Sequence, residues 1–304
     1  MWFRLIRRKK FQHLMGRTGY PLIGLNLWPL VVSFSLGGMA ISGVNFMYGG
    51  CFTLFWFFFR LLIISVACWW SEVAFEGTFE GRHTMLVRKS YRLGYKMFLV
   101  SEFFFFASFF WAWFNCGTGE LQVRNTLKGA PGWPPRGIPL FAWHLEPGFN
   151  LALLLRSGVR VTCAHKRIVV FNVCWYGTVE ANESRLWAII YLVITILLGL
   201  AFVVIQFEEY RVLPFNVNDS SYGSCFFMLT GFHGLHVILG LIMLCITLWR
   251  LFSYHFFKGT DAFFVKAVVW YWHFVDAIWI LVLRFVYAWP NYLYKFREFI
   301  QFFL

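Results

Sequence analysis

The sequence predicts an all-α membrane protein built on seven transmembrane helices, and three observations carry that prediction. Of its 304 residues, 60% are hydrophobic and 13% are charged, whereas soluble domains run nearer a quarter charged. Apolar runs near the roughly 20 residues a helix needs to cross the hydrocarbon core recur seven times. The basic residues alternate in density from loop to loop, as inward-facing and outward-facing loops do. The mean hydropathy of +0.63 agrees with all three.

In chain order the expected spans are 22–47, 50–71, 93–115, 148–172, 186–207, 223–249 and 263–288. The fifth is the cleanest, with no charge between Leu186 and Phe207. The fourth is the poorest: Arg156 and Arg160 lie one turn apart in it and must face protein, water or a lipid phosphate. The positive-inside count keeps it. With seven spans, one side collects Arg4, Arg7, Arg8, Lys9, Lys10 and Arg17 of the N-terminal arm, Arg82, Arg88, Lys89, Arg92 and Lys96, and Lys166, Arg167, Arg185, Arg250, Lys258 and Lys266. The other side holds Arg124, Lys128, Arg136, Arg211, Lys295 and Arg297, a bias of 17 to 6. Dropping the fourth span breaks the alternation.

The net charge of +13 is assigned to these loops and to anionic lipid rather than to nucleic acid, for which no fold motif is visible. The acid-free arm from Met1 to Tyr20 fits an import presequence or a retained inward-facing tail; it runs into a span without an obvious cleavage region, which favours the tail. The seven cysteines form no CxxC and no disulfide-like framework, and most fall in apolar runs where thiols pack as small hydrophobes. Two linkers are long. Glu72 to Tyr91 is polar and basic, and Gly117 to Pro147 carries Trp133-Pro134-Pro135, which stiffens an extended segment. Repeated halves, a nucleotide loop, a nucleophile elbow and a cysteine metal cluster are all missing from the sequence.

Ionisable groups inside spans are unfavourable and have a partner or a task. Glu102 stands among Phe98, Leu99, Phe105 and Phe106 on its helix face. With no cation nearby in sequence, it reads as a neutral acid, either linked to proton movement or bonding a neighbouring helix. His233 and His236 are three residues apart, as are His273 and Asp276. They could form a metal site across two helices or an interhelical hydrogen-bond network. Gly231, Gly234 and Gly240 favour the network, since small residues let helices approach. The run from Trp69 to Thr84, with Arg82, His83 and the later Arg250 on its side, reads as a phospholipid head-group site or as a solvated basic loop.

Taken together, these stretches closely resemble subunit III of the haem–copper oxidases, of the mitochondrial cytochrome c oxidase type. The resemblance rests on Gly77-Thr78-Phe79-Glu80-Gly81-Arg82-His83-Thr84, Ser101-Glu102 with Phe109-Phe110-Trp111-Ala112, and Trp133-Pro134-Pro135. It continues through Ser157-Gly158-Val159 with Ala164-His165, Glu209-Tyr210 with Pro214-Phe215, Tyr222-Gly223-Ser224 leading to Gly240, and Trp270 to Asp276 with Trp279. These motifs keep the family's order from about residue 50 to 290.

The resemblance implies one membrane domain over residues 1–304. Residues 1–20 would be a basic matrix-facing arm, 22–72 a two-helix part, 92–288 a five-helix part and 289–304 a C-terminal tail. A V-shaped, lipid-filled cleft would separate the two helical parts. It implies a subunit without redox centres of its own, haem a and copper belonging to subunits I and II. Such a subunit packs on subunit I, binds phospholipid and supports proton uptake and stable turnover while the complex oxidises cytochrome c and reduces dioxygen. Its place would be the inner mitochondrial membrane, with the N-terminus in the matrix and the C-terminus in the intermembrane space. Glu102 matches the family's buried carboxyl. Trp70, Glu76, His83 and Arg250 match lipid-lining positions. His233, His236, His273 and Asp276 match a structural polar network, with no metal. Three departures stand out: Phe75 where an arginine is common, Lys266 for a usual acid, and Arg160 in a span that is normally almost uncharged. Rival readings are a proton-linked transporter using Glu102 and Asp276, a metal enzyme using the three histidines and Asp276, and the equivalent subunit of a bacterial oxidase.

Overall fold

The computed structural model describes Tyr20 and residues 26–126, 133–135, 138, 143–174, 178–254, 256 and 263–293. Among the described residues the regular elements are all helical: α1 Trp28–Met47, α2 Thr53–Thr78, α3 Met85–Thr126, α4 Glu146–Val173, α5 Val179–Val212, α6 Ser221–Phe252 and α7 Phe263–Val282, the last continued by a π-helical turn Leu283–Ala288. Among the described residues, six stretches are long and apolar enough to cross a membrane: Trp28–Met47, Thr53–Gly77, Met85–Gly119, Val179–Val212, Ser221–Phe252 and Phe263–Leu293. The expected fourth span is the helix α4, whose charges keep it out of that set. Its Arg156 and Arg160 both lie on the exposed face, and the Arg160 guanidinium stands 5.9 Å from the centre of the Tyr191 ring.

Several helices outrun their apolar stretches. The segment Glu72–Tyr91, expected to be a linker, is helical up to Thr78 and again from Met85. Hydropathy registers only the length of a helix in lipid; Glu, Lys, Arg and Met continue it into water at little conformational cost. The break falls where Gly81 takes a left-handed φ of +63°, and the Thr84 hydroxyl then caps the new helix by accepting from Val87 N at 3.4 Å. Other ends are fixed the same way. Thr178 accepts from Ala181 N at 3.2 Å at the start of α5, and Ser220 from Gly223 N at 3.4 Å at the start of α6. At the C-terminus of α6, Arg185 donates to the carbonyls of Leu251 and Phe252, each at 3.2 Å, with its guanidinium 3.8 Å from the Tyr254 ring centre. A cation there satisfies orphan carbonyls and opposes the helix dipole.

The chain divides into two units, one up to Gly94 and one from Tyr95. In the first, α1 and α2 pack as a pair. Its buried polar side chains are the small residues Ser35, Ser42 and Ser65, whose hydroxyls return to their own helices, as in Ser35 to Val31 O at 2.6 Å and Ser42 to Gly38 O at 2.7 Å. Gly38 lies under the Phe58 ring, where a Cβ would collide with it. Small residues and backbone-satisfied hydroxyls are what helix pairs in lipid need, because lipid already solvates apolar side chains.

The second unit holds the core, with Trp272 at a meeting point of its helices. The indole is fully buried and donates Nε1–H to Ser157 Oγ on α4 at 2.7 Å. Its ring fills the spaces left by Gly199 on α5 and Gly240 on α6, where added Cβ atoms would each lie 2.8 Å from it. Of the three glycines expected to bring helices together, only Gly240 does so. Gly231 and Gly234 have nothing within 4 Å of a would-be Cβ, so neither marks a close helix approach. At one end of this unit Trp113, Trp133 and Tyr222 meet with all three ring separations at 5.0 Å. Trp113 also donates to the Phe285 carbonyl in the π-turn at 3.0 Å.

Gly240→Val should therefore lower the melting temperature of the detergent-solubilised protein, by an overpacking cost of about 1–3 kcal/mol. Gly234→Ala should leave it unchanged. Equal shifts in a parallel thermal-shift measurement would refute the wedge.

Candidate functional site

Glu102 and His236 come from α3 and α6, 134 residues apart in sequence, and meet at 2.8 Å between Oε2 and Nε2. Their proton content follows from the second bond of the imidazole. His236 Nδ1 lies 2.7 Å from the Phe232 carbonyl, which can only accept, so Nδ1 carries a proton. Nε2 then either accepts the carboxyl proton of a neutral Glu102 or, as imidazolium, donates to a carboxylate. Both forms hold one proton more than a carboxylate beside a neutral imidazole, and both leave the pair without net charge. The rings of Phe105 and Phe106, 6.0 and 4.9 Å from the imidazole centre, close the site from α3.

The other expected polar residues do not join this pair. His233 is fully buried one turn away, and its Nε2–H donates to the Val275 carbonyl at 3.1 Å beneath the Trp279 ring, 4.9 Å centre to centre. His273 faces the opposite direction. Its Nε2 lies 2.9 Å from Thr162 Oγ1 on α4, and its Nδ1 is 3.6 Å from Asp276 Oδ2, beyond direct hydrogen-bond range. Gly158 makes the room: a Cβ there would stand 2.5 Å from Asp276 Oδ2 and 3.2 Å from the His273 ring. The four residues thus occupy three places along α6 and α7. No group of three or more His, Cys, Asp or Glu side chains gathers among the described residues.

A second polar centre escaped the sequence reading. Glu209 is 4% exposed and receives Gln206 Nε2–H at 3.4 Å, with Tyr287 of the π-turn as an electrostatic neighbour. Beside it, Tyr210 donates to Thr230 Oγ1 at 2.6 Å. Gln206, Glu209 and Tyr210 lie three or four residues apart, a helical spacing that could have flagged a shared face. Tyr287 carried no such signal.

The lipid-lining candidates lie in both units. In the first, Trp70 is 62% exposed and Glu72 accepts from Asn26 at 3.2 Å. Arg82 bridges Glu80 at 2.6 Å and Glu76 at 3.9 Å. The His83 ring sits against Gly77, where a Cβ would lie 2.5 Å from Nδ1, and packs edge-on to Tyr91 at 5.1 Å. Phe75, the departure from arginine, packs on Phe79 at 5.1 Å. In the second unit the Arg250 guanidinium stands 4.8 and 5.0 Å from the ring centres of Phe256 and Phe264. Lys266 lies 5.1 Å from the Trp270 ring centre.

Long apolar helices that carry a few acids and imidazoles in their interior define a polytopic membrane protein. The comparisons give the class a family. The family model described as cytochrome c oxidase subunit III matches residues 18–291, and the chain belongs to that family. Among similar relatives, cytochrome c oxidase subunit 3 of Osphranter robustus is 38% identical over 283 residues, covering 90% of this chain and 97% of the relative. That of Anopheles gambiae is 39% identical over 274 residues, again 90% and 97%. That of Mus musculus is 38% identical over 272 residues with the same coverage. The chain is thus a membrane subunit of an oxidoreductase complex, and its partners include the other subunits of that complex.

Glu102→Gln keeps one hydrogen bond to His236 but removes the shared proton. The variant should assemble, and a Glu102-dependent infrared carboxyl band should vanish from its spectrum. Loss of the folded complex would show that the proton, not the hydrogen bond, holds α3 to α6.

Proposed function

We propose that this chain is the non-redox core subunit that packs on subunit I of cytochrome c oxidase, holds phospholipid and keeps proton uptake and turnover stable. The reading places it in the inner mitochondrial membrane with the basic arm in the matrix and the C-terminus in the intermembrane space. Phospholipids are its only non-protein partners in this reading, while haem a and copper belong to subunits I and II. A cleft between a two-helix part, residues 22–72, and a five-helix part, residues 92–288, would hold the lipid.

The observation that carries the proposal is the Glu102–His236 pair at 2.8 Å. A carboxyl and an imidazole that satisfy one another across two helices provide cohesion at no net charge. Glu102 thereby takes the role of a buried structural carboxyl. His233, His236, His273 and Asp276 act as interhelical polar contacts, each with its own bond or near neighbour. Chemistry on cytochrome c and dioxygen then falls to partner subunits.

Lipid binding is supported by chemistry on each unit separately. In the first, Trp70 offers an exposed indole and the Glu76–Arg82–His83 corner offers charge at the end of α2. In the second, Arg250 stands against two phenyl rings. Aromatic stacking fixes a guanidinium plane while its in-plane N–H edge stays able to fork onto a phosphate.

Affinity purification of the tagged chain in mild detergent should bring down a large neighbouring subunit with the optical spectrum of haem a. A chain purified alone and carrying stoichiometric metal would overturn the reading. Arg250→Ala should reduce co-purifying anionic phospholipid measured by mass spectrometry. Unchanged lipid content would remove Arg250 from the head-group site without touching membership of the complex.

A further inference from the structure

Cys116 and Cys225 are set face to face by the register of α3 against α6. Phe109 and Phe232 pack tilted against each other across these two helices with ring centres 5.1 Å apart, and Glu102 meets His236 further along. The numbering runs in opposite directions on the two sides, so the helices are antiparallel. Seven residues is two turns and returns to the same helix face. Seven residues after Phe109 is Cys116, and seven before Phe232 is Cys225, so both thiols fall on the same seam. The register thus sets the two thiols at the same level on facing sides of the seam.

Both cysteines are free and only partly buried. Cys225 lies near the first turn of α6, which Ser220 caps, and Cys116 is followed by Gly117, Thr118 and Gly119. Both thiols thus lie close to an end of their candidate spans, Met85–Gly119 and Ser221–Phe252.

We propose that Cys116 and Cys225 form a redox-sensitive thiol pair that closes to a disulfide between α3 and α6 on exposure to a peroxide. One thiolate attacks a peroxide oxygen; the O–O bond breaks, one water leaves and a sulfenic acid forms. The second thiol displaces the sulfenic oxygen as a second water, so two thiols and one hydrogen peroxide give one S–S bond and two waters. Closure shortens the sulfur separation to about 2.05 Å and cinches the two helices at that end. The device is independent of lipid binding and of the role given to Glu102.

The test uses the assembled complex in its native membranes. After hydrogen peroxide and removal of the excess by catalase, free thiols are alkylated under denaturing conditions without reductant, and the digest is mapped by mass spectrometry. The expected result is a cross-linked peptide joining the Cys116 and Cys225 segments. It should disappear on treatment with dithiothreitol, with alkylation lost at both positions and retained at Cys163 and Cys245. In Cys225→Ser, Cys116 should stop at the sulfenic acid and be captured by dimedone. Full alkylation of both cysteines at peroxide levels that oxidise methionines of the same complex would overturn the proposal. So would oxidation of Cys116 to sulfinic acid in the unaltered chain without a cross-link. The wild-type mapping stands alone if a serine variant fails to assemble.

Discussion

The packing of Trp272 is the constraint on which the rest of the second unit depends. In a membrane the hydrophobic effect gives helices no preference for one another over lipid tails, so close packing and interhelical hydrogen bonds must supply it. One indole here supplies both. Its ring occupies the hollows of Gly199 and Gly240, and its N–H is fixed to Ser157. Four helices, α4 to α7, are thereby registered against a rigid object with few rotamers. His273 and Asp276 follow within one turn, which is why Gly158 must lack a side chain beside them. The same register carries Val275 O to His233 and leaves Asp276 facing α4.

Charge is handled by pairing within this frame. An isolated ion in hydrocarbon is strongly unfavourable, and a group there either loses its charge or finds an opposite one. Glu102 with His236 satisfies that demand whichever atom holds the proton. The cations resolve it differently. Arg156 and Arg160 stay on the exposed face of α4, and Arg250 and Lys266 lie by aromatic rings. A guanidinium or ammonium near a ring gains electrostatic attraction without an acid. That explains how a chain with 27 basic and 14 acidic residues carries cations along its helices without a carboxylate for each.

Much of this was legible in the sequence, and the parts that were not share a cause. Helix positions follow from local composition, so the apolar runs anticipated each long helix, and Glu102, His236 and Asp276 announced themselves by polarity alone. What local composition lacks is the partner. Nothing near Glu102 in sequence is basic, and its imidazole lies 134 residues away. Gly231, Gly234 and Gly240 look alike in sequence, yet only the third faces a neighbour, because facing is decided by where Trp272 arrives. The lengths of α2 and α3 were underestimated because hydropathy ends where lipid ends, whereas the helix ends where capping and glycine end it. Tyr287 could not be foreseen as a neighbour of Glu209, since it reaches that centre from a π-turn.

The α3–α6 seam shows how one register serves different chemistries along its length. Glu102, Phe109 and Cys116 recur every seven residues on α3, and Cys225, Phe232 and His236 follow at seven and four on α6. That is the spacing of side chains that stay in contact as two helices wind about each other. From Glu102 to Cys116 the seam spans about 21 Å at 1.5 Å per residue, most of the thickness of a hydrocarbon core. It carries a proton-sharing pair at one end, packed phenyl rings in the middle and two thiols at the other. A phenyl contact tolerates small sliding, but a hydrogen bond of 2.8 Å does not, so the polar pair sets the register. The thiols inherit their opposition from it. A substitution that shifts α6 along α3 by one residue would separate the cysteines as surely as it would unpair the acid, though the two sites share no atom.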